Sequence, residues 1–345
     1  MQRRALLASP LLAPALLPAQ AAAQTASLVT EEFLIPARDS GIEIFVRNKR
    51  PEAMTSFAPA RTLLFVHGAT YPAHTGFDLP LGGLSWMDYM AARGFDVWLL
   101  DIRGYGRSTR PPEMSQPPEA NPPLVRGETA LADIASVAAF IRQKRGLPKI
   151  VHMGHSWGTA LMGRFAADNP GLVERLVLYA PVWLRTSPSL ADPGGELGAY
   201  RWVTVEMARR RRTAGVPADK AAALVPPGWF EHWAGLTWAT DPDGQRRNPP
   251  ALRAPNGSTA DGREFWAAGK PWFDPAKITA PTLLVLGEWD QDTPPTMAQT
   301  LFPLLTASPS KRLVVLAEGT HGMWMERNRG ALFQAVQVFL EEAAG

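Results

Sequence analysis

The 345-residue sequence contains no cysteine, which excludes a disulfide framework and a thiolate metal site. It also lacks a charge surplus: 35 Lys and Arg stand against 32 Asp and Glu, and Arg3 and Arg4 fall in the first four residues. Phosphate backbones are bound by a concentrated basic face, so no nucleic-acid partner is expected. There is no H-E-x-x-H or clustered ligand set, and no metal is expected. "RGYGRS" holds Gly104 and Gly106 but lacks the third glycine and the helix start of a dinucleotide fingerprint, so no cofactor is expected either. No segment repeats at a period of about 20 to 50 residues, which argues against a solenoid.

What is present is a composition with 46% hydrophobic residues, enough for one large α/β core. The start, "MQRRALLASPLLAPALLPAQAAAQ", has a basic opening, an uncharged run from Ala5 to Ala23, and Ala21 and Ala23 in an A-x-A arrangement. Residues 1–23 read as an export signal cut near Ala23, giving a periplasmic or secreted protein. Arg3-Arg4 resembles the pair of a bacterial twin-arginine signal. A membrane anchor is the alternative, since the run approaches the ~20 residues that span a bilayer. Pro10, Pro14 and Pro18 interrupt that run, so no stable membrane insertion is expected once the signal is cut.

Two short β-type runs flank Asp39-Ser40-Gly41, a hairpin signal. Apolar strands are then expected at 61–68, 95–101, 149–155, 173–181, 280–287 and 311–319, with helices at 84–94, 127–146, after Ser156, and at the C-terminus. Continuous apolar strands followed by helices imply a mostly parallel sheet with helices on both faces. Between Val182 and Ile278 no convincing buried strand appears and the composition shifts to Trp, Pro and Arg. This stretch is too long for a plain loop and reads as an inserted helical cap, 182–278, between core segments 24–181 and 279–345. Its tryptophans either pack the cap's own core or line an acyl or aryl pocket, with Trp229, Trp233 and Trp238 the substrate-binding candidates. Its "ARRRRT" run, 208–213, reads as a solvated helical face or as a site for an anionic substrate or envelope surface.

The chemistry concentrates at Gly154-His155-Ser156-Trp157-Gly158, a G-x-S-x-G sequence between a strand and a helix. The glycines permit a turn so tight that Ser156 is strained and its hydroxyl exposed. A serine nucleophile needs a base and an orienting carboxylate. His321, in the loop after the last strand, is placed to be the base. His155 is expected on the far side of the elbow, His67 ends an earlier strand, and His74, His152 and His232 lack motif context. Asp290 in "GEWDQDTPP" is the expected acid, with Asp292 its rival and Glu288 third. Backbone N–H groups of Ala69 and Trp157 are the expected oxyanion donors.

Together, "HGAT", "LLDIRGYGRS", "GHSWG", "GEWDQDTPP" and "THGMWMER" resemble the α/β-hydrolase superfamily, in its capped serine-aminopeptidase or lysophospholipase-like branch. The resemblance implies an α/β-hydrolase fold, an order Ser156, Asp290, His321, and a serine hydrolase acting on carboxylic esters or related acyl bonds of small molecules. Serine at position 156 argues against epoxide hydrolases and haloalkane dehalogenases of this fold, which use aspartate. Proline iminopeptidases resemble the chain at Ser156-Trp157-Gly158 but typically carry Gly where His155 stands and "HGGPG" where this chain has "HGATYPA". In that alternative, cap acids such as Glu196, Glu206, Glu231 or Glu264 bind an α-ammonium group. A non-catalytic ligand receptor on the same fold is the alternative from another class.

Overall fold

Short apolar runs become eight strands of one sheet in a computed structural model that describes residues 27–342. The expected export signal lies outside the described residues. In chain order these strands are β1 (Leu28–Pro36), β2 (Glu43–Pro51), β3 (Thr62–Val66), β4 (Asp96–Leu100), β5 (Ile150–His155) and β6 (Val173–Tyr179). The ribbon strands β7 (Tyr200–Thr204) and β8 (Ala251–Pro255) follow, then β9 (Thr282–Gly287) and β10 (Lys311–Leu316) return to the sheet. Its spatial order is β1-β2-β4-β3-β5-β6-β9-β10. β1 and β2 form the antiparallel hairpin and β2 pairs antiparallel with β4. From β4 to β10 every neighbouring pair is parallel.

Because successive side chains of a strand point to opposite faces, β3 feeds two cores. Leu64 and Val66 join a cluster with Ile134, Ile141, Leu161 and Phe165. Leu63 and Phe65 join another with Phe77, Trp86, Phe333 and Phe339. Helices Gly127–Arg145 and Trp157–Asp168 cover the first face, and Trp86–Ala91 and Arg329–Glu341 the second. Each fully buried Leu or Phe contributes about 1.5–3 kcal/mol, so a sheet covered on both sides is the stable use of these runs. All the parallel strands point their carboxyl ends to one edge, where α/β sheets place their ligand crevice.

The segment 182–278 is not wholly helical. Tyr200–Thr204 and Ala251–Pro255 pair as a two-stranded antiparallel ribbon. These strands escape an apolar-run reading because each buries an arginine. Arg201 donates to the Pro255 carbonyl and to Thr70 Oγ1, while Arg253 binds Asp241 through Nε and donates to the Met114 carbonyl. A buried polar group is tolerable once its donors are satisfied. Among the described residues no helix is long and apolar enough to cross a membrane.

Candidate active site

β5 runs into the helix Trp157–Asp168 through a single residue, Ser156, whose φ of 56° and ψ of −125° lie outside the ordinary L-residue regions. Such a conformation costs about 1–3 kcal/mol. It persists because the neighbours leave no alternative: a Cβ on Gly154 would run into the Gly158 carbonyl, and one on Gly158 would come 2.6 Å from the His67 carbonyl oxygen. The backbone of Ser156 is pinned by its N–H donating to the Tyr179 carbonyl at 3.0 Å.

The Ser156 Oγ lies 2.8 Å from His321 Nε2, and His321 Nδ1 lies 2.9 Å from Asp290 Oδ2. Ser156, His321 and Asp290 come from the loops after β5, β10 and β9, at the carboxyl edge of the sheet. Asp290 is fully buried. Its Oδ1 accepts the N–H groups of Asp292 and Thr293 at 2.9 and 2.8 Å, and its Oδ2 accepts the Thr293 hydroxyl at 2.8 Å. A carboxylate is the acceptor for His321 Nδ1–H, which leaves Nε2 free to accept from the serine. Burial pulls the His321 imidazole down, but the charges of Asp290 and Asp292 outweigh it and hold the group above its ordinary value. Asp292 itself faces away from this line, with both carboxylate oxygens on Arg211 Nε at 2.9 and 2.8 Å.

His155 is not on the far side of the elbow. Its ring stacks on Tyr179 at 4.5 Å and sits 4.9 Å from the His321 ring. Its Nε2 lies 3.1 Å from the His321 carbonyl oxygen, which also accepts the Tyr179 hydroxyl at 3.0 Å. Burial and the neighbouring His321 keep the His155 ring well below its ordinary pKa, so it is neutral and donates through Nε2–H. These two side chains fix the backbone of His321. Sequence reasoning passed over them because neither carries a motif role.

The loop after β3 brings Ala69 beside Ser156, and neither the Ala69 N–H nor the Trp157 N–H donates to another described residue. The loop's carbonyls are tied back. Ile102 N–H donates to His67 Nε2 at 3.0 Å, so the proton sits on Nδ1 and is donated to the Gly68 carbonyl at 2.7 Å. Tyr105 Oη and Arg201 Nη2 donate to the Ala69 carbonyl at 3.0 and 3.2 Å. Trp157 also opens its helix, where the unpaired N–H groups carry partial positive charge. Two free donors beside an activated hydroxyl can stabilise a tetrahedral oxyanion.

Residues 61–327 match the alpha/beta hydrolase fold family. The chain belongs to this family. Human lipase member M is 30% identical to this chain over 155 residues, covering 43% of this chain and 35% of the lipase. The matched stretch is therefore about a third of that relative's length. The proline iminopeptidase of Saccharolobus solfataricus is 23% identical over 299 residues, covering 82% of this chain and 85% of the peptidase. Among solved structures, the 2-hydroxy-6-oxo-6-phenylhexa-2,4-dienoate hydrolase of Rhodococcus sp. strain RHA1 superposes with a TM-score of 0.61 at 15% identity, covering 92% of this chain and all of that chain. That likeness concerns the fold.

Two cavities, of about 620 and 580 Å³, meet at Ser156. The first is walled by Tyr71, Phe77, His155, Ala208, Arg212 and Trp324, the second by Val182, Arg185, Asp192, Arg263 and Trp266. The expectation for Trp229, Trp233 and Trp238 is corrected here, since none lines either cavity. Helix Trp229–Ala239 turns Phe230, Trp233 and Trp238 into the core, where the two tryptophans meet edge-on at 5.6 Å behind Tyr71. Trp229 lies under the Arg329 guanidinium. The arginine run is also not one solvated face. Arg209 and Arg210 are outside on Glu231 and Glu206, whereas Arg211 and Arg212 turn inward to the first cavity.

The geometry separates the two candidate acids. Asp290→Asn is expected to lower kcat on the order of 10⁴-fold by removing the acceptor that sets the His321 tautomer. Asp292→Asn is expected to act chiefly on pH dependence. His321 must lose its proton to act as a base, so kcat/KM should rise with pH through a midpoint above the ordinary ~6.5. Removing the Asp292 charge and freeing Arg211 both disfavour imidazolium, so that midpoint should fall. Comparable kcat losses in the two variants, or an unmoved midpoint in Asp292→Asn, would overturn this division of roles.

Proposed function

We propose that this hydrolase is an exported serine carboxylesterase, cleaving esters or related acyl bonds of apolar or aromatic small molecules through an acyl-enzyme on Ser156. The observation that supports this reading is the line of hydrogen bonds from Asp290 through His321 to Ser156, facing the free N–H groups of Ala69 and Trp157. His321 Nε2 takes the Ser156 proton as Oγ bonds to the acyl carbon. The carbonyl oxygen becomes an oxyanion held by Ala69 and Trp157. His321, now imidazolium beside Asp290, gives its proton to the departing alcohol as the ester C–O bond breaks. Water repeats the sequence on the acyl-serine, releasing the acid and restoring the hydroxyl. The mainly apolar and aromatic first cavity favours an apolar or aromatic substrate portion.

The aminopeptidase alternative draws on the Saccharolobus relative, which spans most of the chain. Its expected ammonium-binding acids lie elsewhere. Glu206 and Glu231 pair with surface arginines, Glu264 pairs with Arg126, Glu196 is exposed, and none lines a cavity at Ser156. Export rests on the sequence of residues 1–23, and mass spectrometry of the protein from its native host should find a new N-terminus near Ala23. An intact Met1 in the soluble cytosol would rule export out.

Ser156→Ala is expected to reduce kcat on an aryl ester on the order of 10⁶-fold and to abolish labelling by a fluorophosphonate, with an unchanged circular dichroism spectrum. Residual activity above a few per cent, once contamination is excluded, would remove Ser156 as nucleophile. An unlabelled wild type would favour the receptor alternative. Ala208 is buried against the first cavity. Ala208→Leu should lower kcat/KM for long or aryl acyl chains by roughly tenfold or more relative to an acetyl ester, each methylene being worth about 1–3 kcal/mol. A uniform loss across substrates would contradict a specificity role for this wall.

A further inference from the structure

Three charged side chains line the first cavity: Arg211, Arg212 and Asp292. Arg211 and Asp292 neutralise each other. Arg212 makes no ion pair and no side-chain hydrogen bond among the described residues, and its enclosed Nε has no partner. Its guanidinium lies over the Trp233 ring at 4.0 Å, with Trp324 at 5.1 Å and Tyr71 at 5.8 Å. These rings hold the cation in place and offset part of its desolvation, but they accept none of its hydrogen bonds. Nη1 sits against the backbone of Gly322, so closely that a Cβ there would collide with it, and Gly322 directly follows His321. Glu326 lies beyond that glycine, engaged by Thr320 through its N–H and hydroxyl; it makes no ion pair with Arg212 among the described residues but acts on it across space. A guanidinium without an ion pair, on which the Glu326 carboxyl acts only across space, is thus set into the wall of a mainly apolar cavity, next to the residue that faces Ser156.

We infer that Arg212 is the binding site for a carboxylate carried by the substrate apart from its scissile carbonyl. This rests on Ser156 being the acylated residue and narrows the substrate class to acyl compounds with an apolar body and a second, anionic end. A desolvated cation without a counter-ion is costly, and a ligand that supplies one recovers that cost on binding. The planar fork of a guanidinium matches a carboxylate in a way that a single ammonium cannot. An all-apolar ester fills the same walls but leaves the Arg212 donors empty.

Kinetics on two matched pairs test this: para-nitrophenyl hemiglutarate against para-nitrophenyl valerate for a carboxylate on the acyl side, and meta-carboxyphenyl acetate against phenyl acetate for one on the leaving side. The carboxylate member of at least one pair is expected to have the higher kcat/KM. Arg212→Gln should lower that ratio by about 10- to 100-fold, the range for hydrogen bonds to charged groups. Arg212→Lys should fall between, and Arg210→Gln, on the outer surface, should leave the ratio as it is. A second readout needs no turnover: in Ser156→Ala protein, monoethyl glutarate should raise the melting temperature, ethyl valerate should not, and adding Arg212→Gln should remove the rise. If Ser156 proves unreactive while this stabilisation appears, the hydrolase reading fails and the carboxylate site stands. If wild type treats both members of both pairs alike, or Arg212→Gln leaves the ratio unchanged, the carboxylate site is overturned and the hydrolase reading stands.

Discussion

The close approach of three backbones around Ser156 is the constraint on which the site depends. β5, the first turn of the following helix, and the end of β3 come so near that positions 154 and 158 admit no side chain. That packing holds Ser156 at a positive φ, outside the ordinary L-residue regions, and brings Ala69 alongside it. Everything else is arranged around a hydroxyl whose place is settled by backbone. Because β3, β5, β9 and β10 are parallel strands of one sheet, the loops bearing Ala69, Ser156, Asp290 and His321 all emerge on the same edge. A few residues at each strand end then suffice to meet.

Much of this was legible in the sequence because the signals are local and strong. Continuous apolar runs gave the strands, helical spacing gave Gly127–Arg145, and the serine between two glycines gave the elbow. The reading of Asp290 rather than Asp292 as the acid rests on position after Gly287; in the structure Asp290 meets His321 and Asp292 meets Arg211. The illegible parts share a cause. β7 and β8 were missed because Arg201 and Arg253 are buried by satisfying partners far away in sequence, which periodicity cannot see. The same blindness affected Arg211 and Arg212, since a run of like charges reads as solvated until a tertiary partner is known. His155 was misplaced because alternation along β5 does not reveal that its ring lies under the base. Composition alone leaves the tryptophans of 182–278 between core and pocket, whereas helix packing puts Trp233 and Trp238 behind Tyr71.

Around His321, burial and nearby charge pull the imidazole in opposite directions. Two carboxylates raise it, yet they act differently: Asp290 through a direct hydrogen bond, Asp292 across space and partly neutralised by Arg211. Glu326, buried behind the same loop, is pushed up to about 7 by its surroundings, although Thr320 donates two hydrogen bonds to it. A carboxyl raised in this way carries less charge near neutral pH than an ordinary carboxylate and so adds less to the imidazolium. The charges that raise the His321 imidazole are chiefly those of Asp290 and Asp292.

Arg201 belongs to β7, in the inserted segment, yet its guanidinium holds the Ala69 carbonyl and the Thr70 hydroxyl of the loop after β3. Arg211, from the same segment, clasps Asp292 beside the acid. The segment 182–278 is thus bolted to the loop that carries Ala69 and to Asp292, whose charge acts on His321. Swinging it aside as a lid would break those bonds and release the loop at the same moment. Any motion that parts this segment from the core therefore also frees the Ala69 carbonyl and the Asp292 carboxylate.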